Sequence, residues 1–418
     1  MLNLIIISSD LNYINLFDIM YDINFILLII GLLLLLSIFL SKFTSKIGVP
    51  ALAIFLFIGL VFDAGSFITP TVAHYTYVQY ISIFALIVIM FSGGLDTNIE
   101  SMKPIAKMGI SLSTIGVFIT AISMGLLIHF IFHYDLVLSL LLGSIVSSTD
   151  AAAVFSIFNS QKFKLKSNLD KILELESATN DPMAYILVIS FIFLILNPTS
   201  SITDLVILFV KSLVLGLISG FILGKVFARI LASIKWSVEG LYSVLLFTSA
   251  ILSYAIAESI GGNGFLAVYI AAVLIGNCKI KFKSDQLSFF DGLAWLMQIL
   301  MFILLGAFTS LEELVTVLVP AILIALILIF IARPLAVLIS LAPFDFAKRG
   351  KVFLAWAGIK GAVPIVFAFY PLVNGIKGAT ILFDIVLVIS LISVIFQGST
   401  IKFVAKRFNL IEYEDGKT

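Results

Sequence analysis

The strongest constraint on this chain is a near-unbroken succession of long apolar segments from about residue 23 to residue 404. A helix needs roughly 20 apolar residues to cross a bilayer, or fewer if it is interrupted within the membrane. Thirteen segments meet this requirement, and we number them as spans one to thirteen. They are 23–41, 50–64, 78–95, 105–132, 136–158, 171–197, 202–233, 238–260, 262–278, 286–309, 314–343, 350–373 and 379–404. The sequence therefore predicts an all-α polytopic membrane protein.

The composition excludes most other classes of protein. Of the 418 residues, 61% are hydrophobic and only 12% are charged, whereas soluble domains carry about 25% charged residues. So few polar residues could not cover a soluble fold, and they also exclude disorder and nucleic-acid binding. Cys278 is the single cysteine and cannot form an internal disulfide. The apolar runs are continuous rather than alternating, which argues against a β-barrel.

The basic residues are sorted between the loops. Twenty-one of the 25 lie in one set of alternate loops, and only Lys377 lies in the other set, while Lys211, Arg333 and Lys360 fall inside spans. Cytoplasmic loops carry an excess of lysine and arginine. A missed helix would mix the two sets, so the split supports the count of spans. The split predicts an N-terminus outside and a C-terminus in the cytoplasm. The orientation of the chain in the membrane explains the basic loops, so they need no ligand-binding role.

We expect a single transmembrane domain over residues 1–418. The first 22 residues have no basic region and contain Asp10, Asp18 and Asp22, unlike a cleavable signal peptide. About 14 residues follow the last span, so no soluble regulatory or nucleotide-binding domain is expected. Function must then lie within the bilayer.

Several ionisable residues lie inside spans, where a charge is costly and indicates function. The five clearest are Asp150, Glu176, Asp181, Arg333 and Lys360. Lys211 and Asp384 are closer to span ends. Lys211 can extend its amine to the membrane surface, and we expect both of these residues at an interface.

Two of the carboxylates lie among oxygen-bearing side chains. Asp150 follows Ser147, Ser148 and Thr149, whose oxygens can replace water around an ion. A structural pairing of Asp150 with a base is the alternative. A second set shares one face of a predicted helix, because its members are spaced at i, i+1, i+4 and i+5. It consists of Glu176, Ser177, Asn180 and Asp181. Such oxygens suit hard cations.

Two basic residues lie in the middle of later spans. Arg333 cannot lose its charge, and Glu176 is its obvious partner. Lys360 is flanked by Gly358, Gly361 and Pro364, which indicates a broken helix whose free backbone groups need burial or water.

The spans divide into two halves of six. The halves cover about 23–197 and 238–404, and span seven, 202–233, connects them and makes them inverted repeats. Asp150 lies in the fifth span of the first half and Lys360 in the fifth span of the second. Broken helices at matching positions indicate a transporter binding site.

These segments resemble the monovalent cation:proton antiporter family, in its NhaP/NHE branch of the electroneutral Asn-Asp type. The motifs are Ser148-Thr149-Asp150-Ala151, Glu176-Ser177 with Asn180-Asp181-Pro182, Ala332-Arg333-Pro334-Leu335 and Gly358-Ile359-Lys360-Gly361-Ala362-Val363-Pro364. In order and spacing the resemblance covers about residues 24–404. It implies an NhaA-like antiporter fold, a homodimer, a six-helix core domain and two broken helices that cross, here spans five and twelve.

The resemblance also implies roles for individual residues. The implied cation and proton site consists of Asp150, Ser177 and Asp181, with the Thr149 backbone nearby and Asn180 supporting Asp181. Glu176 and Arg333 would form a structural ion pair, and Lys360 would balance half-helix dipoles. Many relatives carry an acidic residue just before the glycines that end span three, where this chain has Ser92.

The expected function is electroneutral exchange of a monovalent cation for a proton by alternating access, at a site where the two compete for Asp181 and Asp150. Sodium is favoured, and potassium is the alternative within the same family, with lithium also open. The expected setting is the plasma membrane, with a role in pH homeostasis. The expected partners are the two ions, membrane lipid and a second copy of the chain, with no cofactor.

Three other classes of function fit the sequence less well. A substrate symporter would need polar groups for an organic molecule, a channel would need repeated filter sequences, and neither feature is visible. An intramembrane enzyme would need a nucleophile or metal cluster, but His74, His129 and His133 lie near the predicted outer surface.

Overall fold

The computed structural model of the protein describes most of the chain. The described residues are 24, 27–40, 51–62, 72–150, 154, 164–234 and 237–412. The remaining residues include both chain ends, the basic residues Lys42, Lys46, Lys162 and Lys235, and most of span five after Asp150. Predictions that concern them lie outside the described residues.

The first half consists of seven helices in the described residues. They are α1 (Leu27–Leu40), α2 (Ala51–Phe62), α3 (Val72–Asp96), α4 (Ile99–Met102), α5 (Ala106–Phe132), α6 (Leu136–Ile145) and α7 (Leu169–Leu196). Asp135 is the N-cap residue of α6. Its Oδ1 accepts hydrogen bonds from the backbone N–H groups of Val137 and Leu138, at 2.9 and 3.1 Å.

A long connector, α8 (Ile202–Ser233), leads to the second half. The second half contains α9 (Gly240–Ser259), α10 (Gly264–Gly276), α11 (Lys283–Ala307), α12 (Leu311–Ile327 continued to Ser340), α13 (Lys348–Trp356), α14 (Ala362–Val373) and α15 (Ala379–Arg407). A short antiparallel ribbon pairs β1 (Lys164–Leu165) with β2 (Ile411–Glu412).

The helices match the spans predicted from the sequence. Within the described ranges, eight helices are long and apolar enough to cross a membrane, and five shorter apolar helices accompany them. Each predicted span contains one of these helices. The predicted helical membrane fold is therefore confirmed, with one short ribbon added, while the number of crossings stays a prediction.

Spans five and twelve are both broken. Helix α6 ends at Ile145, and residues 146–150 continue without helical structure. Helices α13 and α14 are separated by residues 357–361. The two interruptions contact each other, because the backbone N–H of Asp150 donates to the carbonyl of Ile359 at 2.8 Å.

Three long helices contain a five-residue π-helical segment. The segments are Leu112–Gly116 in α5, Leu328–Ala332 in α12 and Ser393–Gln397 in α15. Spans four and eleven, which hold the first two, are counterparts in the two halves. A shared local distortion and a shared break support the inverted repeat. Such π segments are frequent at functional sites.

The helices pack in two groups. One group contains α2, α3 and α8–α11, and the other contains α5, α6, α7 and α12–α15. In the first group, an added Cβ at Gly216, Gly220 or Gly224 of α8 would lie 2.7–2.9 Å from backbone atoms of α10 or of Asn263, which directly precedes it. Glycine at this spacing permits the close approach typical of membrane helices. The second group holds both broken spans.

Candidate functional site

The predicted site residues converge where the two broken spans meet. Helix α7 carries four of them on adjoining turns, and the non-helical residues after α6 carry two more. Helix α12 and the break before α14 supply the basic residues. The assembled set is Thr149, Asp150, Glu176, Ser177, Asn180, Asp181, Arg333 and Lys360.

Hydrogen bonds join α7 to the extended segment that follows α6. Ser148 Oγ donates to Asp181 Oδ1, and Ser177 Oγ donates to the carbonyl oxygen of Thr149. Asn180 Nδ2 donates to Thr149 Oγ1 at 2.5 Å. The resemblance implied that Asn180 supports Asp181, but the structure pairs Asn180 with Thr149 and gives Asp181 the Ser148 hydroxyl. Hydroxyl, carbonyl and carboxylate oxygens are thus held together.

Asp150 lies directly against the second break. Its backbone is bonded to Ile359, and its side chain adjoins Gly361. An added Cβ at Gly361 would lie 1.8 Å from Asp150 Oδ2, so a larger residue there would require the Asp150 side chain or the backbone to move. The glycine that interrupts span twelve therefore also makes room for a carboxylate.

Lys360 connects the second break to the first. Its side chain is 1% exposed, and its Nζ donates to the carbonyl oxygens of Ser148 at 2.9 Å and Ser147 at 3.3 Å. These carbonyls follow the C-terminal end of α6, where the helix dipole is negative. The ammonium group thus lies where a half-helix needs a positive charge.

Glu176 and Arg333 form a buried ion pair. Arg333 Nη1 lies 2.5 Å from Glu176 Oε1, and the two side chains are 3% and 1% exposed. Arg333 Nη2 also donates to the carbonyl of Leu354 at 3.2 Å, near the end of α13. The pair therefore links α7, α12 and the helix that precedes the second break.

The two aspartates border a cavity of about 470 Å³ between the two helix groups. Asp150, Ser177 and Asp181 line it, and so does Ser92 of α3. Its wall also contains three further acidic residues. They are Asp96 at the end of α3, Glu174 in the first turns of α7, and Asp291 in α11. Asp96 and Asp291 are exposed, so the cavity opens on their side, and clustered negative charge there attracts cations.

An aromatic layer closes the other side of the site. Tyr185 lies one turn beyond Asp181 on α7, and its ring centroid is 5.1 Å from Phe265 and 5.4 Å from Tyr370. Phe367 is 5.9 Å from Tyr185 and is fully buried. These rings come from α7 and α14 on one side and α10 on the other, so they pack across the boundary between the two helix groups.

Lys211 and Asp384, the two ionisable residues closer to span ends, are not among the residues that line the cavity. The amine of Lys211 lies near Gly261, between α9 and α10. Asp384 is buried near the start of α15. His129 lies near the C-terminal end of α5, and its Nδ1 is 2.7 Å from the carbonyl oxygen of Tyr134.

Sequence reasoning missed some members of the site. Ser148 belongs to the Ser148-Thr149-Asp150-Ala151 motif, but nothing in the sequence distinguishes its hydroxyl from those of its neighbours. Asp96, Glu174 and Asp291 stand near span ends, where acidic residues are common. Only the packing of α3, α7 and α11 around one cavity reveals their shared position.

The fold is that of a solved membrane transporter. The structure of the sodium proton antiporter MjNhaP1 from Methanocaldococcus jannaschii superposes with a TM-score of 0.80 and covers 94% of this chain and 99% of that one, at 22% identity. The likeness defines the fold, which is that of this antiporter.

The chain belongs to the sodium/hydrogen exchanger family, whose transmembrane region it matches over residues 28–407. It is 38% identical to the K(+)/H(+) antiporter NhaP of Alkalimonas amylolytica, over 94% of this chain and 68% of that protein. It is 32% identical to a probable Na(+)/H(+) antiporter 2 of Methanocaldococcus jannaschii, over 78% of this chain and 80% of that one. The predicted family is confirmed, and with it a transporter rather than an enzyme.

Proposed function

We propose that this protein exchanges one monovalent cation for one proton at Asp181 and Asp150, with no net movement of charge. One observation carries the proposal. Two aspartates line the same cavity beside hydroxyl and carbonyl oxygens at the meeting point of two broken helices. Oxygen ligands of this kind suit hard cations.

Competition for one carboxylate accounts for exchange. A buried carboxylate is costly unless something neutralises it, and at Asp181 either a proton or a cation can do so. Asp150 shares the cation. Because both ions cannot occupy the site together, one leaves as the other enters.

Movement of the loaded site completes the cycle. The helix group with the broken spans moves past the other group only when Asp181 is neutralised, as in other alternating-access carriers. Each passage then carries the same charge. Moving one net charge would cost or release about 2.3 kcal/mol per 100 mV, and this exchange avoids that dependence.

The predicted topology supports a cavity that opens on the cytoplasmic side. The distribution of basic residues predicts a cytoplasmic C-terminus, and in that topology the end of α3 and the start of α7 face the same compartment. We propose that the protein is a homodimer in the plasma membrane and that this structure is its inward-facing state. The exposed Asp96 and Asp291 and the closed aromatic layer support this state.

Sodium is the cation we propose first, and potassium is the second candidate. The family name and the probable Na(+)/H(+) antiporter of Methanocaldococcus jannaschii support sodium. The K(+)/H(+) antiporter of Alkalimonas amylolytica, which is similar over more of the chain, supports potassium. Dequenching of acridine orange in everted vesicles, with sodium, potassium and lithium tested across pH, separates them.

The central test is Asp181→Asn in proteoliposomes with an imposed pH gradient. We expect cation-dependent proton movement to fall to the level of empty liposomes, because a neutral amide takes up no proton and lacks the carboxylate charge that binds a cation. Asp135→Asn is the matched control. It also removes one carboxylate, but asparagine, like aspartate, is a favourable N-cap residue for α6. Wild-type rates in Asp181→Asn would contradict the mechanism.

A further inference from the structure

We propose that Ser393 and Gln397 of α15 are positioning residues for transport. They hold the break in span twelve so that Lys360 and Asp150 keep their places at the ion site. This inference rests on the proposed function and deepens it. It concerns two residues with no charge and no contact with the cavity.

The break at residues 357–361 leaves backbone polar groups that its own helices cannot satisfy. In a membrane such groups need partners from the protein. Gln397 Nε2 donates to the carbonyl of Trp356 at 2.8 Å, and the backbone N–H of Lys360 donates to Ser393 Oγ at 2.8 Å. These two bonds hold the break on both sides.

The two positioning residues are also bonded to each other. Ser393 Oγ donates to Gln397 Oε1 at 2.5 Å, and both side chains are 1% exposed. They are the first and last residues of the π segment in α15. Trp356 Nε1 donates in turn to Thr400 Oγ1 at 3.1 Å, so α15 holds the end of α13 through a second contact.

Lys360 is consequently fixed at both ends. Ser393 holds its backbone, and its ammonium group donates to the carbonyls of Ser147 and Ser148. Ser148 in turn donates to Asp181. A continuous path of hydrogen bonds therefore runs from α15 through the break to a proposed ion ligand.

The neighbouring residue Ile359 extends the effect to Asp150. Its carbonyl accepts the backbone N–H of Asp150 at 2.8 Å. If the break shifts, both aspartates lose a fixed neighbour. Supporting groups of this kind commonly affect metal affinity by about 10–100-fold, so the expected defect is in cation binding.

Ser393→Ala and Gln397→Met test the inference in proteoliposomes with reconstituted full-length protein. We expect each to raise the KM for the cation about tenfold, with a smaller change in maximal rate and a shifted pH profile. Ser393→Thr, which keeps the hydroxyl, should recover most of the affinity. The double variant should be no worse than the more severe single variant, because both act on one path.

Ser390→Ala is a matched control. Ser390 lies one turn earlier in α15 and is 2% exposed, and its hydroxyl has no hydrogen-bond partner among the described residues. We expect its KM to stay within about twofold of wild type, since no hydrogen bond is lost. A Ser393→Ala protein with the KM and pH profile of Ser390→Ala would overturn the proposal, even if its thermal stability were lower.

Two outcomes separate this inference from the proposed function. A wild-type protein without cation-dependent proton exchange refutes the proposed function. A wild type that exchanges, with a Ser393→Ala protein whose KM and pH profile match those of Ser390→Ala, refutes the positioning role alone. If Ser393→Ala does not yield folded dimer, Gln397→Met and Ser393→Thr decide by the same measurement.

Discussion

At the scale of single residues, we expect the buried ion pair of Glu176 and Arg333 to contribute to the stability of the protein rather than to transport. A single substitution such as Glu176→Gln or Arg333→Met leaves an unpaired group in the interior. We expect a loss of about 3–5 kcal/mol in the free energy of unfolding, because a lone buried charge is not compensated. Melting temperatures in detergent, followed by tryptophan fluorescence, measure this loss.

The double variant Glu176→Leu with Arg333→Met is the control for that prediction. Apolar replacement of a whole buried pair is often neutral, so the double variant should melt closer to wild type than either single variant. Equal destabilisation of the single and double variants would show that the pair contributes through more than its mutual charge. The bond from Arg333 to Leu354 is the contact that would then matter.

Charge was the residue property that could be recognised from the sequence. Asp150, Asp181 and Lys360 stand out because ionised groups in apolar spans are rare and costly. Ser393 and Gln397 do not stand out, since uncharged polar residues occur throughout membrane helices. Their place in the structure depends on a partner 33 or more residues away in the chain, which no local pattern specifies.

At the scale of elements, the second break gives a sharp prediction at Gly361. The substitution Gly361→Ala would place a methyl group 1.8 Å from Asp150 Oδ2, so one of the two must move. We expect a large loss of exchange activity with the helical content retained, because the clash is at the site rather than in the helices. Reconstituted transport and circular dichroism measure the two quantities.

Gly240→Ala is the matched control for Gly361→Ala. Gly240 begins α9, and an added Cβ there meets nothing within 4 Å. Its activity should equal that of wild type, and alanine should favour the helix slightly. Retained activity in Gly361→Ala would indicate that the carboxylate of Asp150 can occupy another position during transport.

Elements were predictable where composition changes sharply. Glycine and proline around Lys360 indicated the break in span twelve, whereas the break in span five was implied only by the family resemblance. The π segments were not predictable, because an added residue per turn leaves no distinct composition. Ser393–Gln397 is apolar at three of its five positions, as an ordinary membrane helix would be.

At the scale of the whole molecule, two packed groups of helices create a site that neither contains alone. Asp150 and Asp181 belong to one group, whereas Ser92, Asp96 and Asp291 belong to the other, and one cavity joins them. The long apolar spans predicted both groups, but their contact surface depends on the assembled tertiary structure. Relative movement of the groups would therefore change the access of the aspartates to each side.

Access from one side is measurable with a cysteine at Ala178, which lines the cavity and is half-buried. In a Cys278→Ser background, Ala178→Cys should react with a membrane-impermeant maleimide in everted vesicles and not in right-side-out vesicles. The physical reason is the aromatic layer around Tyr185, which separates the cavity from the opposite side.

Asn197→Cys, at the exposed far end of α7, should show the reverse pattern. Labelling of Ala178→Cys from outside alone would reverse the proposed topology, and labelling from both sides would show that the aromatic layer opens at rest.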